Sequence, residues 1–399
     1  MTHRSHYDLS TLNPHPTPAL WSSAFRPFYL LGALYAPLLM LAWLIIPQDG
    51  TALPFRLWHG HEMVFGFSAA IITGIVFTAL PSWAGTAEIR GARLALLVAL
   101  WLAGRAAFWL APEAPTTLAA GVDCALFLAA AAMVTPQLLA ARNKLYLLLL
   151  PVLLGLFAGN ALYWLGQRAG DVDLAARGLH LGVYAVILLY VLKGGVLTPI
   201  FTGNVLREKG RGDQVPFRMG LETVGVLAVL ALAAADLAGL PGAWTGAAAA
   251  CAAAVHGYRL ARWRGWKVAD VPLVFVMHLG FLWLVAAFAL RALAAFVPAA
   301  PQLAWLHAFT VGSLGMMMLG LMTRVVLRHT GHSLELPGSI KLAYGLMFAA
   351  ALLRVAASWV VSPALLAVSA VLWAVPFLIY LGLFGAMLWR PSLPRAGSI

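Results

Sequence analysis

Trp58-His59-Gly60-His61-Glu62-Met63-Val64-Phe65-Gly66 places two imidazoles and a carboxylate at the mouth of an apolar run that continues to Leu80. A helix needs roughly 20 apolar residues to cross a bilayer, so the stretch predicts a membrane-spanning helix over 55–80. Ionisable side chains within hydrocarbon are expensive and tend to be functional. Two imidazoles one residue apart also suit a metal. If the helix begins after His61, the two can share one ion. If it begins earlier, they point roughly 200° apart, because the helix has about 3.6 residues per turn, and they serve different partners.

The same character extends outward over the whole chain. Of 399 residues, 62% are hydrophobic and only 10% charged, with mean hydropathy +0.87. A soluble domain carries about 25% charged residues. Twelve apolar segments can be marked at 28–46, 55–80, 92–111, 117–136, 145–165, 174–198, 218–239, 243–262, 270–292, 302–327, 340–360 and 363–389. Pro47, Pro54, Pro81, Pro112, Pro115, Pro199, Pro216, Pro241, Pro301, Pro337 and Pro363 fall near their ends. The break before Pro363 is the shortest. The expected fold is therefore an all-α polytopic transmembrane helical bundle of about 12 helices. It forms a single integral membrane domain over 1–399, with a polar tail at 1–25 and a short one at 391–399. The first 25 residues lack a signal-peptide apolar core. His3, His6 and His15 lie in that tail.

Basic residues orient the stack. The 26 Lys and Arg exceed the 14 Asp and Glu, giving a formal charge of +12. Eighteen of the basic residues, including Arg26, Arg90, Arg207, Arg262 and Arg390, fall on the side of the N-terminus; Arg56, Arg168, Arg177 and Arg291 fall on the other. The positive-inside rule then puts both termini in the cytoplasm. It also accounts for the positive charge without nucleic acid as a partner. Arg105, Lys193, Arg324 and Arg354 remain inside apolar runs. Cys124 and Cys251 sit in apolar runs and read as small buried residues.

With orientation fixed, a rise of about 1.5 Å per residue gives each polar group a depth. His59, His61 and Glu62, Arg105, Asp123, Asn160, His180 and Tyr184, and His307 and Thr310 come from six helices yet share one level near the outer face. This predicts an outer-leaflet polar chamber rich in imidazole. Asp123 alone also reads as a near-surface residue. A second group, His256, His278, Lys193, Arg324, His329 and His332, lies toward the cytoplasmic side.

Haem b needs one or two axial imidazoles and a slot between helices. Gly66, Gly74, Gly182, Gly280, Gly312 and Gly315 are candidates to make that room. Copper takes two or three imidazoles. The cofactor-binding candidates are His59, His61, His180, His278, His307 and Arg105, with metal ligands expected among His59, His61, His180 and His307. His329 and Arg324 are secondary candidates on the inner side. The plainer reading of these histidines is interhelical hydrogen bonding. Arg105 suits a haem propionate or an ion pair with Glu62 or Asp123. Glu62 is a candidate proton carrier, an acceptor that orients His59 or His61, or Arg105's ion-pair partner. Met316, Met317 and Met318 are soft donors, but consecutive helical residues point in different directions, so packing is expected of them. The run Tyr258–Lys267 reads as a basic loop with interfacial Trp263 and Trp266. Phosphate loops and GxGxxG turns are absent, which argues against ATP-driven transport and dinucleotide reduction.

Several motifs resemble the NnrS family. They are Ala24-Phe25-Arg26-Pro27-Phe28-Tyr29, Trp58 through Phe67, Trp101–Arg105, Gly194-Gly195 with Pro199-Ile200-Phe201-Thr202, His278-Leu279-Gly280-Phe281, Leu306 through Gly312, Thr323-Arg324 and His329-Thr330-Gly331. They cover about residues 20 to 335. The resemblance implies a bacterial inner-membrane protein of about twelve helices that carries haem and copper, with a role in nitric oxide metabolism or protection from nitrosative stress. Val196 and His332 stand where the family pattern leads one to expect arginine.

The leading functional expectation is a haem- and copper-binding membrane protein that binds nitric oxide or a related small ligand at the outer histidines. One alternative is a membrane nitric oxide reductase with a haem–metal centre, a quinol donor and Glu62 moving protons. The other is a transporter that uses the polar chamber as its substrate site, although no paired broken helices point to it.

Overall fold

A computed structural model describes residues 18–46, 55–110, 117–360 and 362–394. The expectations for His3, His6 and His15 and for residues 395–399 lie outside the described residues. Twelve long helices run through the remainder. They are α1 Phe25–Ile45, α2 Phe55–Ala84, α3 Ala92–Leu110, α4 Thr117–Ala140, α5 Lys144–Ala169, α6 Val172–Glu208, α7 Met219–Leu237, α8 Gly242–Arg262, α9 Pro272–Phe296, α10 Ala304–His329, α11 Gly338–Ala356 and α12 Pro363–Trp389. No strand occurs among the described residues. Eleven of the helices are long and apolar enough to cross a membrane; α8, rich in Ala and Gly and carrying His256, Arg259 and Arg262, is the exception.

The predicted ends agree closely except at the basic end of α6, which runs past 198 to Glu208. Pro81 and Pro199 lie inside α2 and α6 rather than ending them. Neighbouring helices in a bundle make an internal proline tolerable. The break before Pro363 is real: Ser362 Oγ accepts from Leu365 N at 3.3 Å, capping α12 with Pro363 in its first turn.

Most sequential helices pack as antiparallel neighbours, and α1 packs on α12 to close the ring. Arg26 makes that closure specific. Its guanidinium donates to the carbonyls of Met387 (3.1 Å), Leu388 (3.2 Å) and Arg390 (2.7 Å) and to Ser392 Oγ at 2.8 Å. The last carbonyls of a helix have no intrahelical partner, so Arg26 caps α12 and holds both ends of the described chain at one face, here termed the basic face.

Three helices form the interior. Buried residues make up 83% of the spanning window of α2, 67% of α6 and 78% of α10, against 61% for α9 and 28–44% for the other spans. Each inner helix is interrupted by one π-helical segment, Glu62–Ser68, Tyr190–Gly194 or Ala308–Leu314. Such segments are rare and occur frequently at functional sites. The inner helices are the second, sixth and tenth, so the same role returns every fourth helix.

Candidate functional site: an outer charged network and a separate histidine face

Helix α2 starts at Phe55, before both histidines, and stays α-helical through His61. His59 and His61 therefore diverge, and no two-imidazole clamp forms. His61 points into the bundle and is fully buried. Its Nδ1 lies 3.0 Å from Glu62 Oε1, and its Nε2 lies 3.0 Å from Asp123 Oδ2 and 2.9 Å from Asn160 Oδ1. The Arg105 guanidinium bridges Glu62 and Asp123, bonding each through a different nitrogen. Asp123 Oδ2 also accepts from Asn160 Nδ2 and Trp164 Nε1, each at 2.9 Å. Glu62 Oε2 accepts from the Tyr35 hydroxyl and from Trp109 Nε1 at 3.2 Å, while Trp109 Nε1 also reaches the Tyr35 oxygen at 2.7 Å.

Donor counting fixes the charges. Asn160 turns its amide nitrogen to Asp123, so its oxygen faces His61, and every atom around Nε2 is an acceptor. Nε2 thus carries a proton. Asp123 is surrounded by donors and is a carboxylate. One further proton lies between His61 Nδ1 and Glu62 Oε1. Wherever that proton resides, the cluster with Arg105 is neutral. An isolated buried ion would cost tens of kcal/mol by simple solvation arguments, so overall neutrality and the matching of Arg105 by two carboxylates make the network tolerable at this depth, with Arg105 Nε left buried and unbonded among the described residues. Phe108 stacks on the imidazole at 3.9 Å and 11°, and Tyr163 and Phe65 complete the box at 4.4 and 5.2 Å.

Two glycines make the network possible. A Cβ on Gly66 would come within 2.9 Å of Tyr35, 3.0 Å of Arg105 Nη1 and 3.3 Å of Glu62 Oε2. One on Gly104 would meet Asp123 Oδ1 at 2.9 Å. Trp101 Nε1 binds the Gly66 carbonyl at 2.9 Å, beside the π segment that turns Glu62 inward.

His59 faces another way. Its ring packs on Trp43 at 4.5 Å, and its buried Nδ1 has no hydrogen-bond partner. His59 and His307 both lie within electrostatic range of Arg354, and His307 within that of His59. His307 Nδ1 donates to the Leu303 carbonyl at 3.1 Å, which leaves its Nε2 lone pair to accept from Arg354 at 2.8 Å. His180 belongs to a third group. Its half-buried ring lies 6.2 Å from Trp305; nearby, Tyr184 donates to Asp236 at 2.7 Å and Arg291 pairs with Asp236 at 2.5 Å. No side-chain hydrogen bond of His180 occurs among the described residues.

The other candidates lie apart from this face. His278 is buried beside Trp263 and Gly265. Thr202 donates its hydroxyl proton to the Thr198 carbonyl at 2.8 Å, so His278 Nε2 donates to Thr202 Oγ1 at 2.8 Å. His329 lies 5.6 Å from Phe25, and Arg324 covers Phe201 at 3.8 Å, both toward the basic face. Met316, Met317 and Met318 are buried packing residues. Trp263 is buried against Phe281 rather than interfacial, whereas Trp266 is exposed. Cys124 and Cys251 are free thiols, Cys124 buried and Cys251 exposed.

The expected chamber is therefore three adjoining groups with unequal ligand capacity. His61 has no lone pair to offer while the network is intact, and the Nε2 lone pair of His307 is taken by Arg354. His59 and His180 retain ring nitrogens that no group among the described residues uses. Among the described residues no three His, Cys, Asp or Glu side chains converge as a metal-binding set. The six glycines considered for a haem slot are filled instead: a Cβ on Gly182 would meet Phe65, on Gly312 Trp283, on Gly74 Tyr29, on Gly280 Tyr190, and on Gly315 Met347. Asp123, read as a near-surface residue, is buried at the network's centre. Depth alone singles out neither Trp109 nor Trp164, and it marks Arg354 only as a cation inside an apolar run.

These features define a polytopic helical membrane protein with a neutral charged network and a histidine face on the side opposite its termini. The family model described as NnrS protein matches residues 19–392. The chain belongs to the NnrS family, and membership supports a nitric-oxide-related membrane protein in general. A search of curated proteins finds no match.

Proposed function

We propose that this protein contributes to nitric oxide metabolism or protection from nitrosative stress by binding nitric oxide or a related small ligand at a metal group on the outer histidine face, in a bacterial inner membrane. The observation that carries the site assignment is the sorting of the four histidines by free lone pairs. Among the described residues His59 Nδ1 is buried and unpartnered and His180 makes no side-chain hydrogen bond, so these two suit copper or haem b. His307 joins them only when Arg354 releases its Nε2. His61 holds the bundle together instead. Bound metal would supply an open coordination position for nitric oxide, and the surrounding Trp43 and Trp305 rings would limit water there.

Oxidised and reduced absorption spectra with metal analysis test this reading. Wild type should show a Soret band and bound copper. His59→Ala and His180→Ala should each lose part of that signal, while His61→Ala should reduce folded yield first. Purified wild type lacking both haem and copper overturns the proposal.

One observation favours an enzymatic variant. The proton shared by His61 and Glu62 lies one hydrogen bond from Tyr35, which meets the partly exposed Trp109. Reduction of two nitric oxide molecules to nitrous oxide and water consumes two electrons and two protons, and a quinol could supply both. Anaerobic nitric oxide consumption with a quinol, lost in Glu62→Gln at unchanged haem content, would establish it.

A further inference from the structure

An open apolar cleft lies among α2, α6 and α10 toward the basic face, well apart from the outer histidines. Ile72, Val76, Leu189, Met317 and Trp83 line it with Lys193, its only charged residue. From Ile72 to Trp83 it runs about 16 Å at the helical rise, roughly half of a ~30 Å hydrocarbon core. It is therefore one leaflet deep.

The ammonium of Lys193 stands over two aromatic rings. It sits 4.3 Å from the Tyr146 ring centre and 5.0 Å from that of Trp83. It has no carboxylate in salt-bridge range and donates no hydrogen bond among the described residues. Arg105, Arg259 and Arg291 are matched by carboxylates, namely Glu62 with Asp123, Glu222 and Asp236, and Arg354 donates to His307, whereas Arg324, like Lys193, stands over an aromatic ring. Lys193 stands on the π segment of α6, with Gly194 next to it lining the same cleft. Val196, where the family pattern leads one to expect arginine, is exposed and does not line this cleft.

We propose that the cleft binds an oxyanion-headed lipid, its head on Lys193 and its tail between α2, α6 and α10. Charge complementarity selects the head: three ammonium donors without a protein acceptor favour a phosphate or carboxylate over an uncharged group. Depth selects the tail, since a one-leaflet apolar cleft suits an acyl chain entering from the basic side. The occupant is independent of nitric oxide and of any metal.

Native mass spectrometry of the full chain released from nanodiscs tests the site. Three compositions separate the sources: phosphatidylcholine alone, phosphatidylcholine with phosphatidylglycerol, and phosphatidylcholine with oleate. Wild type should retain one phosphatidylglycerol or one oleate; whichever is kept names the source of the oxyanion. Lys193→Met, which keeps the stem, should reduce retention about fivefold, the equivalent of ~1 kcal/mol per basic residue at a membrane surface. Lys193→Arg should restore it, and Leu189→Trp, which fills the cleft, should abolish it with Lys193 in place. Equal retention by Lys193→Met, equal retention of phosphatidylcholine, or occupation by a neutral quinone overturns the proposal. Copper and haem content, measured on the same samples, reports separately on the histidine face.

Discussion

His59 and His61 stand two residues apart on one helix, and their surroundings are opposite. Around His61 both ring nitrogens have partners, two carboxylates balance Arg105 and a shared proton, and aromatic rings exclude water. Around His59 a buried ring nitrogen is left free beside Trp43 and the Arg354–His307 pair. The difference shows that an intramembrane ionisable group has two ways to be tolerated. It can be neutralised by pairing, in which case its lone pairs are spent. Or it can remain neutral and unpartnered, in which case it is open to a ligand.

The largest expected effect comes from breaking the first region. Arg105→Ala leaves Glu62 and Asp123 buried without their cation, and removal of one partner of a buried ion pair costs about 3–5 kcal/mol. Thermal unfolding in detergent should show a large loss of stability, and unchanged stability would mean that the network is not intact. A milder cut is Trp164→Phe, which removes one hydrogen bond to the Asp123 carboxylate. A bond to a charged group contributes roughly 1.5–3 kcal/mol, so a smaller loss is expected from the same measurement. Gly66→Ala should fall with these variants, because Arg105 and Tyr35 occupy the space its methyl needs.

The opposite result is expected in the second region. His59→Ala should change stability by under about 1 kcal/mol, since no hydrogen bond of Nδ1 is lost, yet should lower bound metal. Loss of stability as large as that of Arg105→Ala would erase the contrast between the two histidines.

The smallest effect concerns the basic face. Asp270 in the loop before α9 is held below the usual carboxylate range by hydrogen bonds from Arg211 and Lys209. A carboxyl depressed in the folded state stabilises above its unfolded value and loses that contribution as pH falls through the folded one. The loop should therefore become more protease-sensitive only at strongly acidic pH, and Asp270→Asn should show the sensitivity at neutral pH. All three side chains are exposed, so roughly 1 M salt should blunt the difference.

Much of this was legible in the sequence. The lengths of apolar segments fixed the helices, with α6 misjudged because a proline was read as a terminus. The rise per residue put His61, Glu62, Arg105, Asp123 and Asn160 at one level, and they do meet. Depth could not separate His59 from His61, nor reveal that Arg354 reaches His307, because partners at equal depth are chosen by rotation about each helix axis. In a soluble protein an apolar stripe reports that rotation. Here lipid-facing and core-facing sides are both apolar, and the pattern is nearly silent.

The sequence by itself thus determined a twelve-helix bundle, the face that gathers the basic residues and the level at which polar groups collect, since hydrophobic length and charge act locally along the chain. Only the tertiary structure decided that α2, α6 and α10 lie innermost, that π segments interrupt all three, and that His61 is spent in a neutral network while His59 is free. Those outcomes depend on helix rotation and on which side chains meet across helices, and close packing sets both only when the whole bundle is assembled.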